Sequence, residues 1–152
     1  MDTRLLWLAG GAFAIGTGTL IITGILPDLS AGLRVSVDTA GLLITIFALS
    51  YAIGSPVLST VFGTIDRKMV LAGAMTVFGL ANLGAAFATD FTLVMAARVV
   101  MALAAGVYMP AANAVAVALV PAARRGRAIA LVTGGMTVAL ILGVPFGTAV
   151  VG

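Results

Sequence analysis

An all-α transmembrane bundle of five spanning helices is the fold this sequence predicts, on three observations. Of its 152 residues, 62% are apolar and 9% are charged, against about 25% charged in an ordinary soluble domain. The charges stand in short clusters that leave five long runs: Leu5–Leu26, Thr39–Ile65, Met69–Thr89, Phe91–Val120 (with Arg98 alone inside it) and Ala128–Gly152. Each run exceeds the ~20 helical residues that cross a hydrocarbon core. In lipid the backbone must be satisfied within the segment, which selects helix. A barrel would show alternating segments of about 10 residues, and nothing here alternates.

The first run follows Arg4 and is too long for a secretory signal, whose apolar core is about 7–15 residues. It is read as a retained helix. Helices are expected at about 5–27, 39–65, 69–89, 91–120 and 128–152, forming one incomplete N-terminal transmembrane bundle over 1–152. An odd number of spans that stops inside apolar sequence predicts a piece of a longer chain.

Lys and Arg give the orientation. Arg4, Arg67, Lys68, Arg124, Arg125 and Arg127 fall on one side, whereas Arg34 stands alone on the other with Asp28, Asp38 and Asp90. This bias predicts a cytoplasmic N-terminus and a multi-pass protein of the plasma (inner) membrane. The net charge of +3 is accounted for in the same way. The basic clusters lack interleaved aromatics, so nucleic acid is not an expected partner.

Chemistry is sparse. With no Cys and no His, the commonest metal ligands and the usual general base are missing. No metal, cofactor or enzymatic activity is expected. Arg98, eight residues after Asp90, either snorkels to the outer interface, with the helix beginning at Val99, or is a buried cation facing a polar cavity, the reading favoured because ionisable groups in bundles face the interior. Tyr51, Ser55 and Ser59 repeat at i, i+4 and i+8. They form one polar stripe that either faces a substrate path or bonds back to carbonyls of its own helix. Asn82 and Asn113 read as cavity or interhelical contacts.

Small residues four apart, at Ala12/Gly16, Gly84/Ala88 and Ala139/Gly143/Gly147, are expected to let helix backbones approach closely. Gly54-Ser55-Pro56 in the second run and Gly143-Val144-Pro145 in the fifth begin at the same distance from the start of their runs. Helices two and five cross in opposite senses, so such an echo predicts an inverted repeat of the kind that builds transporter cores. The short connection Gly63-Thr64-Ile65-Asp66-Arg67-Lys68 restrains two spans, and its charges are suited to capping helices or pairing with a neighbour.

Several segments together resemble the major facilitator superfamily, and most closely the arabinose- and sugar-efflux branch of its drug:proton antiporters. They are Gly24-Ile25-Leu26-Pro27-Asp28, Ala40-Gly41-Leu42-Leu43, Tyr51-Ala52-Ile53-Gly54-Ser55-Pro56, Ala97-Arg98-Val99, Arg127-Ala128-Ile129-Ala130 and Leu142-Gly143-Val144-Pro145-Phe146-Gly147-Thr148. They occur in family order across nearly the whole chain. The last is similar to the antiporter motif. The chain departs from the family in placing Asp66 three residues after Gly63, where four is usual, and in having Thr19 near a position that many relatives fill with glutamate.

The resemblance implies the N-terminal portion of a secondary active transporter, a proton-coupled efflux permease for small organic solutes working by alternating access. It implies a substrate and coupling path through Arg98, Tyr51, Ser55 and Asn113, and a gating turn of Gly63, Asp66, Arg67 and Lys68. It also implies helix packing at Gly54, Pro56, Gly143, Pro145 and Gly147. The partners implied are the bilayer, a small organic solute, protons and a missing C-terminal half. The alternative reading from the residues is a small complete membrane protein that forms a homo-oligomer or joins a complex.

Overall fold

Six α-helices make up the computed structural model, which describes residues 3–151 apart from the side chains at 143, 144, 146–148, 150 and 151 of the last helix. They are α1 (Thr3–Gly24), α2 (Leu26–Leu33), α3 (Val37–Val61), α4 (Arg67–Ala86), α5 (Phe91–Ala118) and α6 (Arg125–Val151). All but α2 are long and apolar enough to span a membrane. No strand occurs among the described residues.

The boundaries differ from the uncharged runs because helix ends are set by caps. The Ser36 hydroxyl accepts from the Thr39 amide at 3.1 Å, the Asp66 carboxylate from the Lys68 amide at 2.8 Å, and the Asp90 carboxylate from the Leu93 amide at 2.9 Å. Each satisfies an amide that the first helical turn leaves without a partner. Arg67 and Lys68 thus belong to the first turn of α4, and α6 starts at Arg125, earlier than the run beginning at Ala128.

Where the sequence predicts a plain connection after the first span, the chain turns at Ile25 and forms α2. Pro27 sits in the first turn of α2, where a missing N–H costs nothing. Arg34 closes α2 in the left-handed region (φ 54), and the amides of Arg34 and Val35 return to the carbonyls of Ala31 and Ser30.

The central helix is α5. Residues 104–109 are buried without interruption, whereas α4 keeps most of its surface exposed. The helices pack mainly as α1 with α6, α3 with α5 and α4 with α5. In terms of spans, the second lies along the fourth and the fifth along the first. Exchanging first with fourth and second with fifth turns one pair into the other, the relation an inverted repeat requires.

Small residues make the α1–α6 contact possible. A Cβ placed on Gly16 would lie 2.8 Å from that of Ala139, and one on Gly135 would run into the Ala9 carbonyl. Ala12 and Ala139 are fully buried. Gly84, by contrast, has open space around it, so the expected Gly84/Ala88 packing face is corrected: α4 meets α5 through Val70, Ala74 and Phe78 instead.

Overfilling a tight contact costs roughly 1–3 kcal/mol, whereas replacing an exposed helical glycine by alanine gains up to about 1 kcal/mol. Gly16→Ala is therefore expected to lower the melting temperature in detergent and Gly84→Ala to raise or preserve it. Equal responses would show that the α1–α6 approach is looser than described.

Candidate functional site

Arg98 lies seven residues into α5 and is 3% exposed. Its Nε–H donates to the Leu43 carbonyl of α3 and its Nη1 to the Gly18 carbonyl of α1, each at 3.4 Å. The guanidinium carbon stands 4.5 Å from the centre of the Phe47 ring. A carbonyl within a helix keeps a second lone pair, so both helices accept from Arg98 without breaking their own ladders. The cation–π contact adds roughly 0.5–2 kcal/mol. One side chain thus ties three helices together.

Arg98 also lines an open cleft of ≈630 Å³ between α1, α2, α4 and α5, at the end that carries Asp28. Asn82 lies on the same wall and donates to the Phe78 carbonyl at 3.1 Å. No carboxylate approaches Arg98 within ion-pair distance among the described residues. A guanidinium with five N–H groups is therefore held by backbone carbonyls and one aromatic face, with donors to spare toward the cleft.

Half a helix deeper, proline supplies the second polar feature. Pro110 stands inside α5 and has no N–H, so the carbonyl four residues earlier, on Gly106, loses its helical donor. The Ser55 hydroxyl of α3 donates to that carbonyl at 2.8 Å. The approach is close enough that a Cβ on Gly106 would lie 3.1 Å from Cα and Cβ of Ser55. Gly54 is buried just beside it, where a Cβ would meet Leu103. Within the same turn, the Tyr108 hydroxyl donates to the Leu8 carbonyl of α1 at 3.0 Å, and its ring lies over Gly11. The stretch around Pro110 is thus pinned to α3 on one side and α1 on the other.

The residues expected to form one substrate path are distributed differently. Arg98 faces the cleft, and Ser55 is engaged between helices. Tyr51 stacks on Phe47 with ring centroids 6.4 Å apart. The Asn113 Oδ1, the Ser59 Oγ and the Thr19 Oγ1 are buried without a hydrogen-bond partner. Gly63, Asp66, Arg67 and Lys68 are all exposed on a connection that contains a short 3₁₀ turn, Phe62–Thr64. Pro56 is exposed within α3, and Pro145 lies in α6. Gly143 and Gly147 fall outside the described residues.

Sequence reasoning overlooked Tyr108, Gly106 and Pro110. The available signal was the Gly-xxx-Pro spacing of Gly106 and Pro110, which marks a carbonyl that another helix must satisfy.

A family model described as Major Facilitator Superfamily matches residues 8–152. The chain is 40% identical over 95% of its length to an uncharacterised MFS-type transporter, YtbD, of Bacillus subtilis (strain 168), covering 36% of that protein. It is 38% identical over 97% of its length to a chloramphenicol resistance protein of Streptomyces lividans, covering 38% of it. It is also 35% identical over 95% of its length to the inner membrane transport protein YdhP of Escherichia coli (strain K12), covering 37% of it. The chain therefore spans little more than a third of the length of the relatives it matches.

If Ser55 serves the carbonyl that Pro110 releases, the two substitutions must be coupled. Ser55→Ala is expected to cost about 1 kcal/mol, the usual scale for a hydrogen bond between membrane helices. In a Pro110→Ala background the amide at 110 can rebind Gly106, and the same substitution should have nearly no effect. Additive losses in a double-mutant cycle of thermal unfolding would refute the pairing.

Proposed function

The chain belongs to the Major Facilitator Superfamily, and on that premise we propose that it forms the N-terminal part of a secondary transporter exporting small organic solutes by alternating access. Two helix pairs related by exchange, α3 with α5 and α6 with α1, support this reading, since a bundle built from inverted repeats moves as a rigid unit against its counterpart. In the whole transporter the solute binds near the midplane, between this bundle and a second one. The chloramphenicol resistance protein of Streptomyces lividans, at 38% identity, supports efflux as the direction and small organic molecules as the cargo. The sugar-efflux-like branch is the narrower placement we propose, carried by the segments around Pro27, Tyr51 and Arg98.

The observation that carries the reading is Arg98, a buried cation held by backbone carbonyls on the wall of an open cleft. A group this costly to keep in a membrane marks a solute or ion pathway. Its weak, long hydrogen bonds leave it able to exchange partners as the halves rock. Protons are the coupling ion we propose, with the arginine-rich end of the bundle on the cytoplasmic side. Tyr51 and Asn113 border the path, and Ser55 contributes by fixing α3 to α5. The turn at Gly63, Asp66, Arg67 and Lys68 acts as a latch, its exposed charges available to a neighbouring segment.

Transport by the full-length protein in membrane vesicles, with chloramphenicol as the first probe, tests this. Arg98→Met keeps much of the bulk and removes the charge, but it also loses the ties to Leu43, Gly18 and Phe47 and is expected to lower the melting temperature, so efflux is compared per folded molecule. On that basis the variant is expected to lose about tenfold or more in efflux, or ~1.4 kcal/mol. Collapse of the proton gradient should abolish efflux in the wild type. Unchanged efflux per folded molecule would remove Arg98 from the pathway.

A further inference from the structure

At the arginine-rich end of the bundle a second cleft, of ≈680 Å³, opens between the start of α1, the end of α5 and the start of α6. Its walls are apolar: Leu5 on α1, Leu119 after α5, and Ala128 and Leu131 on α6. Arg124 and Arg127 line its rim, and both side chains are exposed. No carboxylate lines it among the described residues. The acid described at this end of the bundle, Asp66, is committed to capping α4.

The starts of α1 and α6 present positive ends here and the end of α5 a negative one, so the helix ends leave a net positive bias. The arginines add to it, and each planar guanidinium offers a fork of N–H donors suited to phosphate oxygens. Leu131 lies four residues beyond Arg127, about 6 Å deeper along the helix. A ligand that satisfies both features carries phosphate at one end and hydrocarbon at the other.

We propose that this cleft binds an anionic phospholipid, with the phosphate on Arg124 and Arg127 and an acyl chain against Leu5, Leu119 and Leu131. Basic pockets between membrane helices hold anionic headgroups in this manner. A soluble phosphate would use the arginines and leave the apolar wall in water, which is why the lipid is the occupant. The site is independent of whichever solute is carried, and it stands if the transport reading fails.

Native mass spectrometry of the full-length protein in detergent, titrated with phosphatidylglycerol and separately with phosphatidylcholine, tests the assignment. Phosphatidylglycerol should be retained preferentially. The Arg124→Gln/Arg127→Gln double variant should weaken its retention about 25-fold, on a scale of about fivefold per basic side chain. The Arg67→Gln/Lys68→Gln double variant removes the same charge from the same end, but neither side chain lines the cleft, and retention should stay within about twofold because the scale of about fivefold per residue applies to contacts with the headgroup. Unchanged melting temperatures are expected for both, because all four side chains are exposed.

Equal losses in the two doubles would overturn the proposal in favour of diffuse surface charge. Displacement of the lipid by millimolar glycerol phosphate would overturn it in favour of a free-phosphate site. Retention unaffected by Arg124→Gln/Arg127→Gln would leave no site at all.

Discussion

Inside a bilayer a carbonyl that loses its helical donor finds no water to replace it, and Pro110 creates such a carbonyl on Gly106. The Ser55 hydroxyl answers it from α3 at 2.8 Å. That one hydrogen bond needs a glycine at 106 for close approach and a small residue at 54 beside Leu103. The crossing of α3 over α5 follows from those requirements. Tyr108, two residues before the proline, ties the same stretch to Leu8 of α1. A break in one helix thereby becomes the means of joining three.

Arg98 applies the same constraint nearer the acidic end. Its guanidinium draws on carbonyls of α1 and α3 that already serve their own helices, and on the face of Phe47. Both polar centres are carried by α5 and both engage α1 and α3, so α5 is the member whose displacement would be felt by every span around it. The contact of α1 with α6 has a different character. Alanine and glycine at 12, 16, 135 and 139 bring the two backbones together by close packing of small residues. Packing of this kind resists separation while tolerating small slides. A bundle held by polar ties on one side and smooth packing on the other is consistent with one half of a rocking carrier.

Much of the fold was legible in the residues. Thr39–Ile65 and Phe91–Val120 read as spans, and helices long and apolar enough to cross a membrane lie there; Arg98, favoured as buried over a place at the interface, is indeed buried. The resemblance carried by the segments around Pro56, Arg98 and Pro145 agrees with the family match over residues 8–152. The site was less legible. Ser55 was read with Tyr51 and Ser59 as one stripe because helical spacing places them on one face. Spacing does not say what stands opposite that face. Gly84 and Ala88 carry the same four-residue spacing as Ala12 and Gly16, yet Gly16 closes on Ala139 of α6 whereas Gly84 has open space around it.

Hydrophobicity along the chain by itself determined which of these residues form segments long and apolar enough to cross a membrane, five of them among the described residues. That property depends on transfer of each segment from water to lipid, a sum over local residues. Only the tertiary structure decided that Ser55 meets Gly106, that Tyr108 reaches Leu8, and that Arg98 spans α1 and α3. Each of those pairs joins positions 51 to 100 residues apart. Their partners are chosen by which helices lie side by side, and in lipid that choice is made by shape and by unmet hydrogen bonds, which a linear sequence does not display.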